Sequence, residues 1–326
     1  MPRRIADQAC PGSGVAAGRA LVFGILTVAL HACGLQSVAA EYEGKAQALA
    51  TIQDDRIREA SGIAASRANR DCYYVHNDSG DEPRLFLIDR QGRTRLTIRL
   101  SGVQVRDAED IAIAPGRKAE AWDVCLADIG DNSASRDYVT ILRFAEPVLS
   151  DDAERTIDVT PTTFRLRYPD GPRDAEAFAV HPRTGAGYVL TKRIDGRCEV
   201  YTLPAPWDGS RESTLTRLTT LTLPLGLPPA RVVTAADISP DGRRVAVRCY
   251  LNGWEWRLPA DAPAGSFDAI FDVQPALLLL ASEPQGEALC YSADGNAILT
   301  LSEGRAPTLY ELRLATPTTA RAAAPR

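Results

Sequence analysis

The residues best equipped for chemistry in this chain are carboxylates, and they recur in a pattern. The stretch "RDAEDIAIAP" (Arg106 to Pro115) returns as "RDAEAFAVHP" (Arg173 to Pro182). Asp107, Glu109, Asp110, Asp174 and Glu176 therefore each stand at the head of a short apolar run. A third acidic head, Glu287, lies in "QGEALCYSADG" (Gln285 to Gly295). Carboxylates gathered in one place repel unless something compensates them. A hard cation such as Ca²⁺ does so by taking about six to eight oxygen ligands from carboxylates, amides and carbonyls. Backbone N–H donors can do the same, and so can the preceding arginines, Arg106 and Arg173. The sequence leaves both readings open.

Two loops add oxygen donors. In "DIGDN", Asp128, Asp131 and Asn132 surround Gly130, but the terminal bidentate glutamate of an EF-hand loop is missing. In "HNDSGD", His76 stands two positions from Asp78, a pairing that suits a general base. The plainer reading is that both loops are Asx turns and that His76 is a hydrogen-bonded spacer. Lys192, Arg193 and Arg305 fall in comparable turns and are candidates for gripping an anion. With three histidines and no CxxC pair, a zinc or iron site is not expected, and the pattern fits an oxygen-ligand metal better than either. No GxSxG elbow, Walker loop, HExxH or SxxK is present.

The elements that must position these residues read as strands. Beyond residue 41, runs of four to seven residues rich in Val, Ile, Leu, Tyr and Thr alternate with Gly, Pro, Asp and Asn. Five copies of the head motif align, with Ser61, Glu109, Glu176, Thr234 and Glu287 at equivalent positions, 48, 67, 58 and 53 residues apart. Each copy is followed by two further strands and in most cases by a fourth. This predicts an all-β chain folded as a β-propeller of four-stranded antiparallel blades. Five blades are favoured, and a sixth stays open because of slack near residues 145–172 and 203–230. The last unit lacks its outer strand, which "AQALATI" (Ala46 to Ile52) is expected to supply. In such a blade the head of the innermost strand and the turn after the second strand share one face, so the acidic heads and polar turns should gather at one channel mouth.

Composition narrows the function classes. Net charge is −5, which disfavours nucleic acid as a partner. Residues 1–40 read as an export signal: Arg3, Arg4 and Arg19 precede the apolar run Leu21 to Leu30, and "LHAC" ending at Cys33 resembles a lipobox. A lipid on Cys33 would tether the protein to the cell envelope; cleavage after Ala40 would leave it periplasmic or secreted. Residues 41–315 form the propeller domain, expected to be monomeric, and 316–326 are expected to be a disordered tail. The five remaining cysteines read mostly as buried strand residues, with one or two disulfides open after export.

The segment "EALCYSADGNAILTLSEGRAPTLYELRL" (Glu287 to Leu314) resembles the final blade of bacterial β-propeller phytases. "DAEDIA", "DIGDN" and "DAEAFAVHP" resemble segments of exported phytase-like and esterase-like propellers. The resemblance implies Glu109, Glu176 and Glu287 as calcium ligands at the mouth, Asp128 and Asp131 as loop ligands, and Lys192, Arg193 and Arg305 as phosphate-binding residues. The fourth unit departs from it with Thr234. Two functions follow as expectations. One is an exported propeller whose mouth binds Ca²⁺ and a small anionic ligand or an envelope protein. The other is a calcium-dependent hydrolase of phosphate esters, with His76, Asp78, Lys192, Arg193 and Arg305 as its catalytic set.

Overall fold

The computed structural model describes residues 42, 44–150, 153–223, 230–263 and 265–315. The expected export signal, Cys33 and the expected tail lie outside the described residues, which all belong to the compact unit Ser37–Arg326.

Five antiparallel sheets form five blades. Their innermost strands are Ala60–Ala65, Ala108–Pro115, Ala175–Val180, Val233–Ile238 and Gly286–Tyr291. Each packs against the innermost strands of its two neighbours, and the last packs against the first, so the ring closes. The inner strands are almost wholly buried and rich in alanine and glycine, because small side chains let five strands approach one axis. The core lies between blades: each of five apolar clusters joins two adjacent sheets. Closure uses the expected N-terminal strand. Gln47–Thr51 pairs antiparallel with Thr308–Arg313 and becomes the outer strand of the fifth blade. Ahead of it, the Tyr42 hydroxyl donates to Glu255 Oε1 in the fourth blade at 2.5 Å.

The slack that left room for a sixth blade has a different use. Arg155–Val159, in the connection between the third and fourth strands of blade two, pairs parallel with the outer strand Thr94–Leu100 of blade one. Ser213–Thr214, in the same connection of blade three, pairs parallel with the outer strand Thr162–Arg167 of blade two. In blade four this connection carries a 3-10 turn, Phe267–Asp272, that packs on blade three, where the Tyr188 hydroxyl donates to Asp268 at 2.6 Å. The extra residues are thus straps reaching back over the preceding blade, and they cover edges that would otherwise be exposed.

Cys72, Cys125, Cys198, Cys249 and Cys290 are all buried free thiols, so the one or two disulfides left open by the sequence do not form among the described residues. Trp254 and Trp256 are buried and wedge between blades three and four.

Candidate functional site

Each inner strand has a single register shift against its second strand. The shifts lie between Ala60 and Gly62, Ala108 and Asp110, Ala175 and Ala177, Val233 and Ala235, and Gly286 and Ala288. The residues inside them are Ser61, Glu109, Glu176, Thr234 and Glu287, the five positions aligned from sequence. A β-bulge leaves one residue out of the ladder and re-aims its side chain, so the repeat is a repeat of bulges at the channel mouth.

Two residues behind four of the five bulges, a second regularity ties the strand head to the turn after the second strand. The backbone N–H of Asp78, Gly130, Lys192 and Glu303 donates to the carbonyl of Glu59, Asp107, Asp174 and Gln285 respectively, at 2.8–3.1 Å. Strand heads and these turns therefore share one face, as expected.

The two hydroxyl-bearing bulges close seams. Ser61 Oγ donates to the Glu109 carbonyl at 2.8 Å, and Thr234 Oγ1 to the Gly286 carbonyl at 3.1 Å. The three glutamates do not. Glu109 receives a long 3.4 Å contact from Ser61 Oγ. Glu176 accepts from Lys192 Nζ at 2.6 Å. Glu287 accepts from Gln285 on one oxygen, while Oε2 is buried without a partner. Burial raises the pKa of Glu109, helped by Glu176, Asp78 and Asp107; burial also raises Glu176, with the Lys192 ammonium pulling it down and Asp174 and Asp78 pushing it up. Glu287 is pushed up to about 8, by burial first and by Glu176 second. Burial alone would lower Lys192, but Glu176 outweighs it and the ammonium is held charged. Lys192 Nζ also lies 5.7 Å from the Tyr250 ring centroid, a neighbour that no motif of the sequence singles out.

Beside the glutamates, Asp78, Asp107 and Glu109 can each offer one oxygen such that all three lie within 4.8 Å of one another. Gly130 makes this convergence sterically possible: a Cβ there would collide with Glu109 Oε1 and the Asp107 carboxylate. Burial, then Asp78 and Asp174, push the Asp107 carboxyl up to about 6. An all-oxygen, mutually repelling donor set drawn from two blades fits a hard cation such as Ca²⁺.

The remaining candidates are placed elsewhere or already engaged. Asp110 is fully buried, its oxygens accepting the backbone N–H groups of Ile111, Phe178 and Ala236, so it braces the ring and faces no cation. Asp128 caps the strand head by accepting from Asp107 N, and its other contacts are Arg136 and Thr140. Asn77 and Ser302 do the same capping for Glu59 and Gln285. Asp131 accepts from Ser133, Ser135 and the Arg136 N–H, so the loop is closed on itself, with Asn132 exposed. Asp174 accepts from Asp131 N.

Arg193 is exposed and paired with Asp195 in its own turn, and Arg305 is exposed on another turn. Of the three cations assigned to phosphate, Lys192 alone meets the carboxylates. Arg173 binds Glu199 and Asp170 instead of the mouth. His76 is 1% exposed, its Nδ1 donating to the Asn77 carbonyl and its Nε2 facing Gly62 without a partner. Burial pushes its pKa down to about 4, which leaves a sealed neutral imidazole one layer below the mouth.

No family model matches the chain, and no curated protein does. Among solved structures, the chain is similar to the PQQ-bound form of aldose sugar dehydrogenase from Streptomyces coelicolor. Identity there is 11% and the TM-score 0.46, over 82% of this chain and 97% of that one. It is also similar to the WD40 repeats of RRP9, at 9% identity and TM-score 0.40, over 83% of this chain and 100% of that one. Likeness at this level carries no argument about what the chain does.

Proposed function

We propose that this protein is an exported binding propeller whose acidic mouth takes up a divalent cation, Ca²⁺, together with a small anionic ligand. The observation that carries the reading is the convergence of Asp78, Asp107 and Glu109 over a glycine. Bound there, the cation would neutralise the repulsion and supply a Lewis-acidic contact for a ligand oxyanion. Lys192, fixed by Glu176 and Tyr250, is the second positive contact across the mouth. Export rests on the N-terminal sequence.

The reading is binding rather than phosphate-ester hydrolysis. His76 is sealed away from the mouth, and Arg193 and Arg305 do not reach the carboxylates. The test is thermal melting of metal-free protein titrated with Ca²⁺. A saturable rise in Tm is expected, and it should vanish in Asp107→Asn/Glu109→Gln. Equal melting with and without Ca²⁺ would overturn the proposal, and turnover of a phosphate ester by the Ca²⁺-loaded protein would replace binding with hydrolysis.

A further inference from the structure

The face opposite the mouth carries a second feature that the acidic site does not use. There the turn joining the first and second strands of blade two meets the matching turn of blade three and the segment around Trp207. Between them lies a cavity of about 720 Å³. That volume falls in the range of pockets that hold small organic ligands.

Trp207 forms its rigid wall. Trp207 is 9% exposed, and its ring sits edge-to-face against Phe164, with centroids 5.4 Å apart at 81°, and against Phe178 at 6.2 Å. Gly187 lies against it, where a Cβ would approach ring atom Cζ2 to 3.0 Å. Above the ring, 5.1 Å from its centroid, sits the Arg143 guanidinium. Arg143 is itself fixed, Nε donating to Asp123 Oδ2 at 2.8 Å and Nη2 to the Pro115 carbonyl at 2.6 Å. The indole Nε1 is buried without a hydrogen-bond partner.

Charge gives the cavity its selectivity. Its lining contains Arg117, Lys118 and Arg143 against one carboxylate, Asp123, which Arg143 already neutralises. Arg117 and Lys118 are exposed at the rim, and neither is in an ion pair among the described residues. In a chain of net charge −5 with three lysines, a cationic rim over an aromatic wall is a local reversal of the protein's sign. A ligand that combines an apolar ring with an oxyanion matches both halves.

We propose that this cavity is a binding site for a small planar organic anion, its ring against the Trp207–Phe164 wall and its carboxylate or phosphate at Arg117 and Lys118. The site is independent of the cation mouth.

The probe is the anionic dye 1-anilinonaphthalene-8-sulfonate, titrated against the full chain. One saturable site should quench tryptophan emission, and the quenching should be largely lost in Trp207→Phe. Charge reversal at the exposed rim, Arg117→Glu/Lys118→Glu, should weaken binding by about tenfold or more without changing Tm. Benzoate and phenyl phosphate should each displace the dye, and the more effective competitor identifies the oxyanion. Absence of saturable binding, unchanged affinity in the charge-reversed protein, or displacement by neither competitor overturns the proposal. Dye binding that is lost only on removal of Ca²⁺ would place it at the mouth and overturn it as well.

Discussion

The carboxylate of Asp110 in blade two accepts the backbone N–H of Ala236 in blade four, 126 positions away and not a neighbour in the ring. The same oxygen accepts Phe178 N–H in blade three, and the other accepts Ile111 N–H. One buried side chain thus satisfies donors from three inner strands. Asp110→Ala leaves those N–H groups unpaired in a dry interior and should cost about 2–4 kcal/mol in denaturant unfolding. Asp110→Asn keeps one acceptor oxygen and should lose less. Equal stability of parent and alanine variant would show that the bracing contributes nothing.

Nothing in the sequence around Asp110 encodes that role. The bulge positions were legible because Ser61, Glu109, Glu176, Thr234 and Glu287 recur at one place in a repeat, and the same sterics act in every blade. The straps were visible only as slack, since parallel pairings of five and two residues and a single 3-10 turn are too short to leave a periodicity to read. Asp110 and Glu109 are adjacent acidic letters with opposite fates. The bulge at Glu109 turns one toward the mouth and leaves the next aimed at backbone donors that lie 68 and 126 residues ahead. No local spacing encodes that difference. Asp128 could have been recognised as a cap by its alignment with Asn77 and Ser302, each at the end of a second strand.

Gly130 offers a direct test of the cation site. Its missing Cβ provides the space into which Asp107 and Glu109 pack. Gly130→Ala should push the two carboxylates apart, abolish the Ca²⁺-dependent rise in Tm, and cost about 1–3 kcal/mol through overpacking. The fold should survive, as read by an unchanged circular dichroism spectrum. A full Ca²⁺ response in this variant would detach the convergence over the glycine from metal binding.

Arg248 and Glu283 form a pair at 2.6 Å in which each side chain is 1% exposed. Arg248 also donates to the Ala288 carbonyl, and Glu283 accepts from Thr300, so the pair joins blade four to blade five. Arg248→Met strands a buried carboxylate and should destabilise by about 3–5 kcal/mol. Adding Glu283→Gln removes the uncompensated charge and should recover a large part of that loss. A double variant as unstable as the sum of the singles would mean that the two charges are not coupled.

The mouth should also make stability depend on pH in a direction unusual for carboxylates. Glu287 moves from an ordinary 4.5 to about 8, and Asp107 from 3.8 to about 6. Between those limits the folded state binds protons more readily than the unfolded chain, so these groups reduce stability as pH rises. His76 acts oppositely: its contribution is complete above 6.5 and is lost as pH falls through about 4. From about pH 6.5 to 8.5, then, Glu287 acts without opposition from His76, and the Tm of Ca²⁺-free protein should fall. Glu287→Gln, an amide of nearly the same shape, should flatten that decline. At about pH 8.5 it should be more stable than the parent by on the order of 1–3 kcal/mol, while differing little near pH 5. Bound Ca²⁺ offsets the same repulsion, so its stabilising effect should be larger at about pH 8.5 than at pH 5. A Glu287→Gln melting profile that overlies the parent's across this range would show that the buried carboxyl carries no such penalty.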